Sequence, residues 1–354
     1  MRQVHKSLVM TIRELAHLAG VSHSTVSRAL LDNPRLPLKT RQTIQALAKK
    51  HGYQPHPMIS KLMAQLPQIR TIARSTLAVV TTDLDWRQAV FPSQIYAGIE
   101  ERAAELGYLV EEFKVSAYES SRRLSDVLYS RGIEGLLVFP LKRDMGHLSL
   151  NWPRFTSVAI GRTLTRPNLH RVSFSHFENF MLAARHLRRL GYRRIALALM
   201  PELQSRVGDT YIAGYTLLDR AIPVAERIPV FEEPSFRTKD VVRWLKKYRA
   251  DALVCNYDPT HLDLATHGVR IPEELGYVTL DCLSAPPEAS GIQQHPGKVG
   301  AAAVEMLTAH LHRNDRGLPE FPTLTYVQGT WSPGKTVRKQ TGRIGGRKPA
   351  KPAA

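Results

Sequence analysis

Cysteine is almost absent. The 354 residues hold only Cys255 and Cys282, too few for a disulfide framework or a thiolate metal centre. Each closes an apolar run that reads as a strand, so two buried thiols fit better than a bond or a metal pair. Long apolar runs are missing too, because no segment nears the roughly 18 consecutive apolar residues of a membrane span. Residues 1–10 carry neither the apolar core nor the small-residue cleavage site of a secretory signal, which points to a cytoplasmic protein. The chain also has no nucleophile elbow, no phosphate-cradling glycine loop and no helical histidine pair for zinc. No catalytic residue, metal or cofactor is therefore expected, and His261, His267, His310 and His312 read as surface or satisfied histidines.

Acidic residues are scarce beside basic ones, 31 against 49, for a formal charge of +18. That excess is not spread evenly. Residues 1–74 hold twelve Lys or Arg against Glu14 and Asp32, and residues 335–354 hold seven basic groups and no acid. The two ends thus carry +17 and the long middle about +1. A near-neutral body flanked by basic segments suits a polyanion whose counterions those segments release. Nucleic acid is the first candidate; an anionic membrane is the second, but neither end shows a long basic amphipathic helix with bulky apolar anchors.

What is present is concentrated in Thr11 to Leu30, TIRELAHLAGVSHSTVSRAL. Thr11 with Glu14 three residues on is a helix start of the capping-box kind. Ile12, Leu15, Ala16 and Ala19 share one helical face, and Gly20 is free to take the positive φ that ends the helix. Ser22 caps a second helix almost at once, with Val26, Ala29 and Leu30 on its buried side. A hairpin this tight needs small residues at its crossing, and Ala16, Ala19 and Gly20 supply them. His23, Ser24, Ser27 and Arg28 are left on the outer face, where they can reach phosphates and base edges. Any amphipathic helical hairpin shares this pattern, so the charge distribution decides in favour of DNA.

A third helix is expected over Leu38 to His51, ended by Gly52, after a DNPRLP loop. Pro55 and Pro57 break the chain before Met58 to Leu66, which has helical spacing but too little length to be stable alone. Either it becomes a helix on DNA and wedges an apolar side chain between base pairs, or it is a short helix packed on the body. From Thr76 the texture alternates: LAVVTTD, EGLLVFP, FTSVAIG, RRIALALMP, DALVCNYD and LGYVTLD read as strands. Ile95–Leu106, Ser120–Ser130, Phe177–Leu190 and Thr238–Tyr248 read as helices between them. Alternation of this kind implies parallel sheets covered on both faces, with more units than one sheet needs, hence two lobes. Ligands then bind beyond the carboxyl ends of the strands, where Asp83, Asp85, Arg162, Asp258 and Asp281 fall. The tail from Lys335, Gly-, Pro- and cation-rich, is expected to be disordered.

In this order of parts the chain resembles the lac repressor (LacI/GalR) family. The resemblance runs from Thr11 to about Pro333 and is carried by the hairpin, the following NP, TRQTIQALAKKHGYQP, and in the body by PSQI, FSH and the strand-end Asp258 and Asp281. It implies base reading by His23, Ser24 and Arg28, phosphate contact by Ser22, Thr25 and Ser27, and a minor-groove wedge at Leu62. It also implies an effector cleft lined by Phe91, Ile95, Arg162, Asp258, Asp281 and Gln294. Three departures stand out. Ile59-Ser60 replaces the usual Ala-Arg before the wedge, Tyr211 replaces the Arg three residues ahead of the Gly-aromatic pair, and Tyr257 replaces a frequent Asn. Two groups that hold sugars in such proteins are therefore missing.

The sequence thus gives an α/β protein with an N-terminal three-helix helix-turn-helix head (1–57), a hinge and linker (58–75), and a basic tail (335–354). Between them lies a two-lobed, doubly wound core resembling periplasmic binding proteins (76–334). The expected role is a homodimeric transcriptional regulator, a repressor, that binds a pseudo-palindromic operator and a small-molecule effector, with no membrane partner. The competing readings are a solute-binding protein using the same cleft and an enzyme acting in it.

Overall fold

The computed structural model describes residues 12–30, 36–51, 53, 75–82, 86–141, 146–220, 222–231, 233, 236–256 and 260–340, a few side chains excepted. Expectations on Thr11, Asp83, Asp85, Asp258 and the whole of Met58 to Leu66 lie outside the described residues, as do those on the side chains of His23, Ser24 and Ser27. The chain divides into two units, residues 1–73 and 74–354.

The first unit holds three helices, α1 (Ile12–Ala19), α2 (His23–Leu30) and α3 (Leu38–Lys50). Gly20 takes φ +64°, and the turn closes with Val21 N–H on the Ala16 carbonyl at 3.1 Å. That left-handed residue ends α1 without cost because glycine has no Cβ. Leu15, Ala16, Val26, Ala29, Ile44 and Ala48 form the core, joined at its edge by Tyr53. The Gln45 side-chain amide donates to the Ala29 carbonyl at 2.9 Å, so α3 satisfies an end group of α2 that would otherwise lack a partner.

The second unit has two sheets. The first contains β1 (Thr76–Thr81), β2 (Leu109–Lys114), β3 (Gly135–Val138), β5 (Thr156–Ile160), β7 (His170–Phe174) and β12 (Leu324–Val327), all parallel, in the order β12-β7-β5-β3-β1-β2. Two short strands, β4 (Gly146–His147) and β6 (Leu164–Arg166), pair beside it. The second contains β8 (Ile195–Ala198), β9 (Ala252–Cys255), β10 (Gly276–Thr279), β11 (Gly291–Gln293) and β13 (Thr330–Ser332), in the order β13-β11-β10-β9-β8, with only β13 antiparallel. Helices α4 (Val90–Glu105), α5 (Ser121–Ser130) and α11 (Pro296–His312) belong to the first lobe. Helices α6 (His176–Leu190), α7 (Pro201–Arg206), α8 (Thr210–Arg220), α9 (Thr238–Tyr248) and α10 (Thr260–Thr266) belong to the second.

Burial explains why the strands are apolar along their whole length. Leu77 and Val79 enter one cluster while Ala78 and Val80 enter another across the sheet, and Ala252 and Val254 oppose Leu253 and Cys255 in the same way. Both faces of each parallel sheet are covered, as such sheets require. The chain passes between lobes three times, after β7, after β11 and after β12. The second passage delivers α11 against α4, where the backbones nearly touch. A Cβ at Gly98 would fall 2.0 Å from the Gly297 carbonyl oxygen, and one at Gly300 would fall 2.1 Å from that of Ile95.

Two readings need correction. The disordered tail does not begin at Lys335: residues 335–340 are built into the second lobe. Thr336 is buried and bonds Tyr277 through backbone and hydroxyl at 2.7 Å, and Arg338 N–H donates to the Tyr192 hydroxyl. Backbone pairing outweighs the local cationic composition there. The strand β2 was not recognised because Glu111 and Glu112 break its apolar pattern. It is an edge strand, and Glu112 turns inward to accept from Thr81 and the Trp86 indole and to pair with Arg87.

Candidate functional site

In the first unit the helix α2 is capped by Ser22, whose Oγ accepts from Thr25 N–H at 3.2 Å and lies 2.9 Å from the Thr25 hydroxyl. Those two hydroxyls are therefore engaged with one another in the free protein. Arg28 is exposed in the last turn of α2, with Val26 and Ala29 beside it buried. A guanidinium projecting from a helix anchored on its other side is the group that can read guanine with two parallel hydrogen bonds. Lys39, Lys49 and Lys50 on α3 are exposed as well.

In the second unit a cavity of about 420 Å³ opens at the carboxyl ends of both sheets. Phe91, Ile95, Arg162, Asp281 and Gln294, expected to share a cleft, all line it. The fold assembles them from separate elements: Phe91 and Ile95 from the first turns of α4, Arg162 after β5, Asp281 after β10 and Gln294 after β11. The strand-to-helix turns of a doubly wound sheet converge on such a point by topology.

One wall is apolar. Phe91 and Phe174 meet with ring centroids 4.9 Å apart, next to Pro92, Ile95 and Pro140. The floor is polar and neutral. Gln294 uses its amide N–H on the Leu280 carbonyl and on the Tyr211 hydroxyl at 3.3 Å, which fixes the amide's orientation. The Tyr211 hydroxyl, accepting there, donates its single proton to His176 Nδ1 at 2.9 Å. Burial, with the Arg162 charge a smaller cause, lowers the His176 pKa to about 3. Burial likewise pushes the Tyr211 phenol well above its ordinary value. Neither group can exchange a proton near neutral pH.

The far side is cationic. Arg162 donates to the Tyr326 hydroxyl at 3.2 Å, and Arg206 donates to the Leu141 carbonyl at 3.0 Å across the lobe junction. Behind them Arg171 bonds the Gly161 and Leu164 carbonyls and is shifted down, first by burial and then by Arg162. Among the described lining residues Asp281 is the single carboxylate, and its oxygens accept from Leu283 N–H and the Ser284 hydroxyl. Three buried polar atoms on the wall, Arg162 Nε, Ser173 Oγ and Gln294 Oε1, have no hydrogen-bond partner. His176, Arg206, Ser173 and Asn256 were not singled out from the sequence as site residues. His176 lay inside the quoted FSH motif, while Arg206 sits in a helix that no periodicity marked. No group of three or more metal-ligating side chains occurs among the described residues, and no described helix is long and apolar enough to cross a membrane.

The two units match two family models: residues 11–56 that of bacterial regulatory proteins, lacI family, and residues 184–336 that of a periplasmic binding protein-like domain. The chain belongs to the lacI family of bacterial regulatory proteins. This lacI-family chain is 28% identical over 225 residues to the lactose operon repressor of Escherichia coli K12, covering 62% of the chain and 59% of that repressor. It is 22% identical over 329 residues to the HTH-type transcriptional repressor PurR of Haemophilus influenzae, covering 88% and 94%. Among solved structures, a lac repressor dimer bound to operator and an anti-inducer aligns with a TM-score of 0.54 at 21% identity, over 93% of this chain and 99% of that one. A CelR–cellobiose complex aligns with a TM-score of 0.55 at 21% identity, over 92% and 99%. These structures share the fold: a helix-turn-helix head and an α/β core like that of periplasmic binding proteins.

Proposed function

We propose that the chain is a sequence-specific DNA-binding transcriptional regulator, a repressor, acting in the cytoplasm as a homodimer on a pseudo-palindromic operator. Ser22, His23, Ser24, Thr25, Ser27 and Arg28 would meet the DNA in each half-site and Leu62 would wedge the minor groove. The observation that carries this is Arg28, exposed on a capped helix whose opposite face is buried in a three-helix core. The match of residues 11–56 to the lacI-family model supports it. The cleft would bind a small effector through Phe91, Ile95, Arg162, Asp258, Asp281 and Gln294, changing DNA affinity to the extent that it prefers one lobe arrangement.

A solute-binding role for the core alone leaves the head without purpose and is set aside. An enzyme is not favoured either, since the one histidine on the cavity wall stays neutral and its hydroxyl partner stays protonated near neutral pH. Selection of duplexes from a random pool by the full chain tests the reading: an enriched pseudo-palindrome is expected, and the absence of any motif would overturn it.

A further inference from the structure

We infer that the ligand of the cleft is a small organic oxyanion with a flat apolar body, its anionic group held between Arg162 of one lobe and Arg206 of the other. The inference rests on the effector-cleft reading and names its chemistry. Phe91, Ile95, Pro140 and Phe174 make one wall that offers no hydrogen bond to a hydroxyl. A polyol laid there would leave its polar groups unpaired, whereas a ring face loses nothing by leaving water. At the other end the guanidiniums gather with little compensation, since Asp281 is already bonded to Leu283 and Ser284. Arg162 Nε and Ser173 Oγ are buried donors without a partner, and an oxyanion supplies the acceptor they lack.

The two arginines also tie the ligand to lobe closure. Arg206 already reaches over the junction to Leu141. Gly208, at φ +62° in the second lobe, stands so close above Arg162 that a Cβ there would lie 2.8 Å from its Nε. An oxyanion placed between the two guanidiniums is attracted by both only while the lobes are together, so its binding favours the closed arrangement.

Calorimetry on the full chain tests this with five probes: benzoate and phenyl phosphate as ring oxyanions, benzamide and benzyl alcohol as uncharged rings, and glucose. At least one ring oxyanion is expected to bind tenfold or more tighter than both uncharged rings, and the comparison of the two shows which oxyanion is preferred. Arg162→Met and Arg206→Met should each remove at least tenfold of that affinity, Arg162→Lys should restore part of it, and Arg270→Met, the same charge loss at an exposed Glu274 pair, should change nothing. Equal binding of benzamide, tightest binding of glucose, no binding by any aromatic probe, or indifference to both Met variants would each overturn it. Duplex selection run alongside keeps the readings apart: a chain that selects no DNA refutes the regulator, whereas one that selects DNA but prefers glucose refutes only the ligand class.

Discussion

The head and the core of this chain bury themselves in different ways. The head rests on six fully or nearly buried side chains, three of them alanines. Each lobe of the core has an apolar cluster on both faces of its sheet. A domain with so little to bury stays marginal, and one side chain decides whether it folds. The lobes spread the same burden over dozens of residues, which leaves them able to keep unpartnered polar atoms in a cavity. The head therefore reads DNA from its outside, and the core holds its site between elements.

Leu15→Ala breaks this comparison most directly. Leu15 is fully buried, and truncating such a leucine costs about 2–5 kcal/mol, comparable to the stability of a small domain. Calorimetry should show the head's transition lost and the core's unmoved, with DNA binding abolished; a core transition that falls with it would show that the units do not melt independently. The counterpart in the core is Gly300→Ala, which drives a methyl into the Ile95 carbonyl at 2.1 Å. Forcing α4 and α11 apart should cost about 1–3 kcal/mol and lower the core midpoint only. An unchanged midpoint would mean that the helices have room.

Next in size is Arg28→Ala. It should lose about 1–3 kcal/mol of discrimination at one base pair in each half-site, read as a relaxed position in the selected motif. Uniform weakening on all sequences would reduce Arg28 to a phosphate contact.

The core has a pH signature that the head lacks. His176 is held near pKa 3 when folded and returns to about 6.5 when unfolded. Below about pH 6.5 the unfolded chain takes up a proton the folded one refuses, so stability is full above that value and falls toward pH 3. The slope is about 1.4 kcal/mol per pH unit. Core melting followed from pH 7 to 4 should be less steep in His176→Asn; parallel curves would remove His176 as the cause.

What the sequence revealed follows the same division. The head's helices were legible because its pattern is local: caps, small residues at the crossing and a glycine at the turn all lie within twenty positions. In the core the apolar strands were legible, but β2 was hidden by Glu111 and Glu112, whose inward partner Trp86 lies in a different loop. The cleft residues named by resemblance fell on one cavity, yet the Tyr211–His176–Gln294 network joins positions up to 118 apart, and no spacing rule predicts it. The exchange of Arg for Tyr was visible as a departure. That it removes a charge from the floor while Arg162 and Arg206 hold charge at the opposite side became visible only in three dimensions.

The smallest expected effect concerns the end of the chain. A truncation meant to remove the basic tail must begin after Gln340, because Thr336 and Arg338 are bonded into the second lobe and cutting there would disturb the core. Residues 341–354 carry Arg343, Arg347, Lys348 and Lys351. If these cations neutralise phosphates, deleting them should weaken non-specific DNA binding several-fold and reduce the salt slope by up to about 3–4, while the selected motif and the core midpoint stay as they were. A shifted motif would assign the tail a part in reading sequence. An unchanged salt slope would leave the charge on residues 1–74 as the whole of the electrostatic attraction.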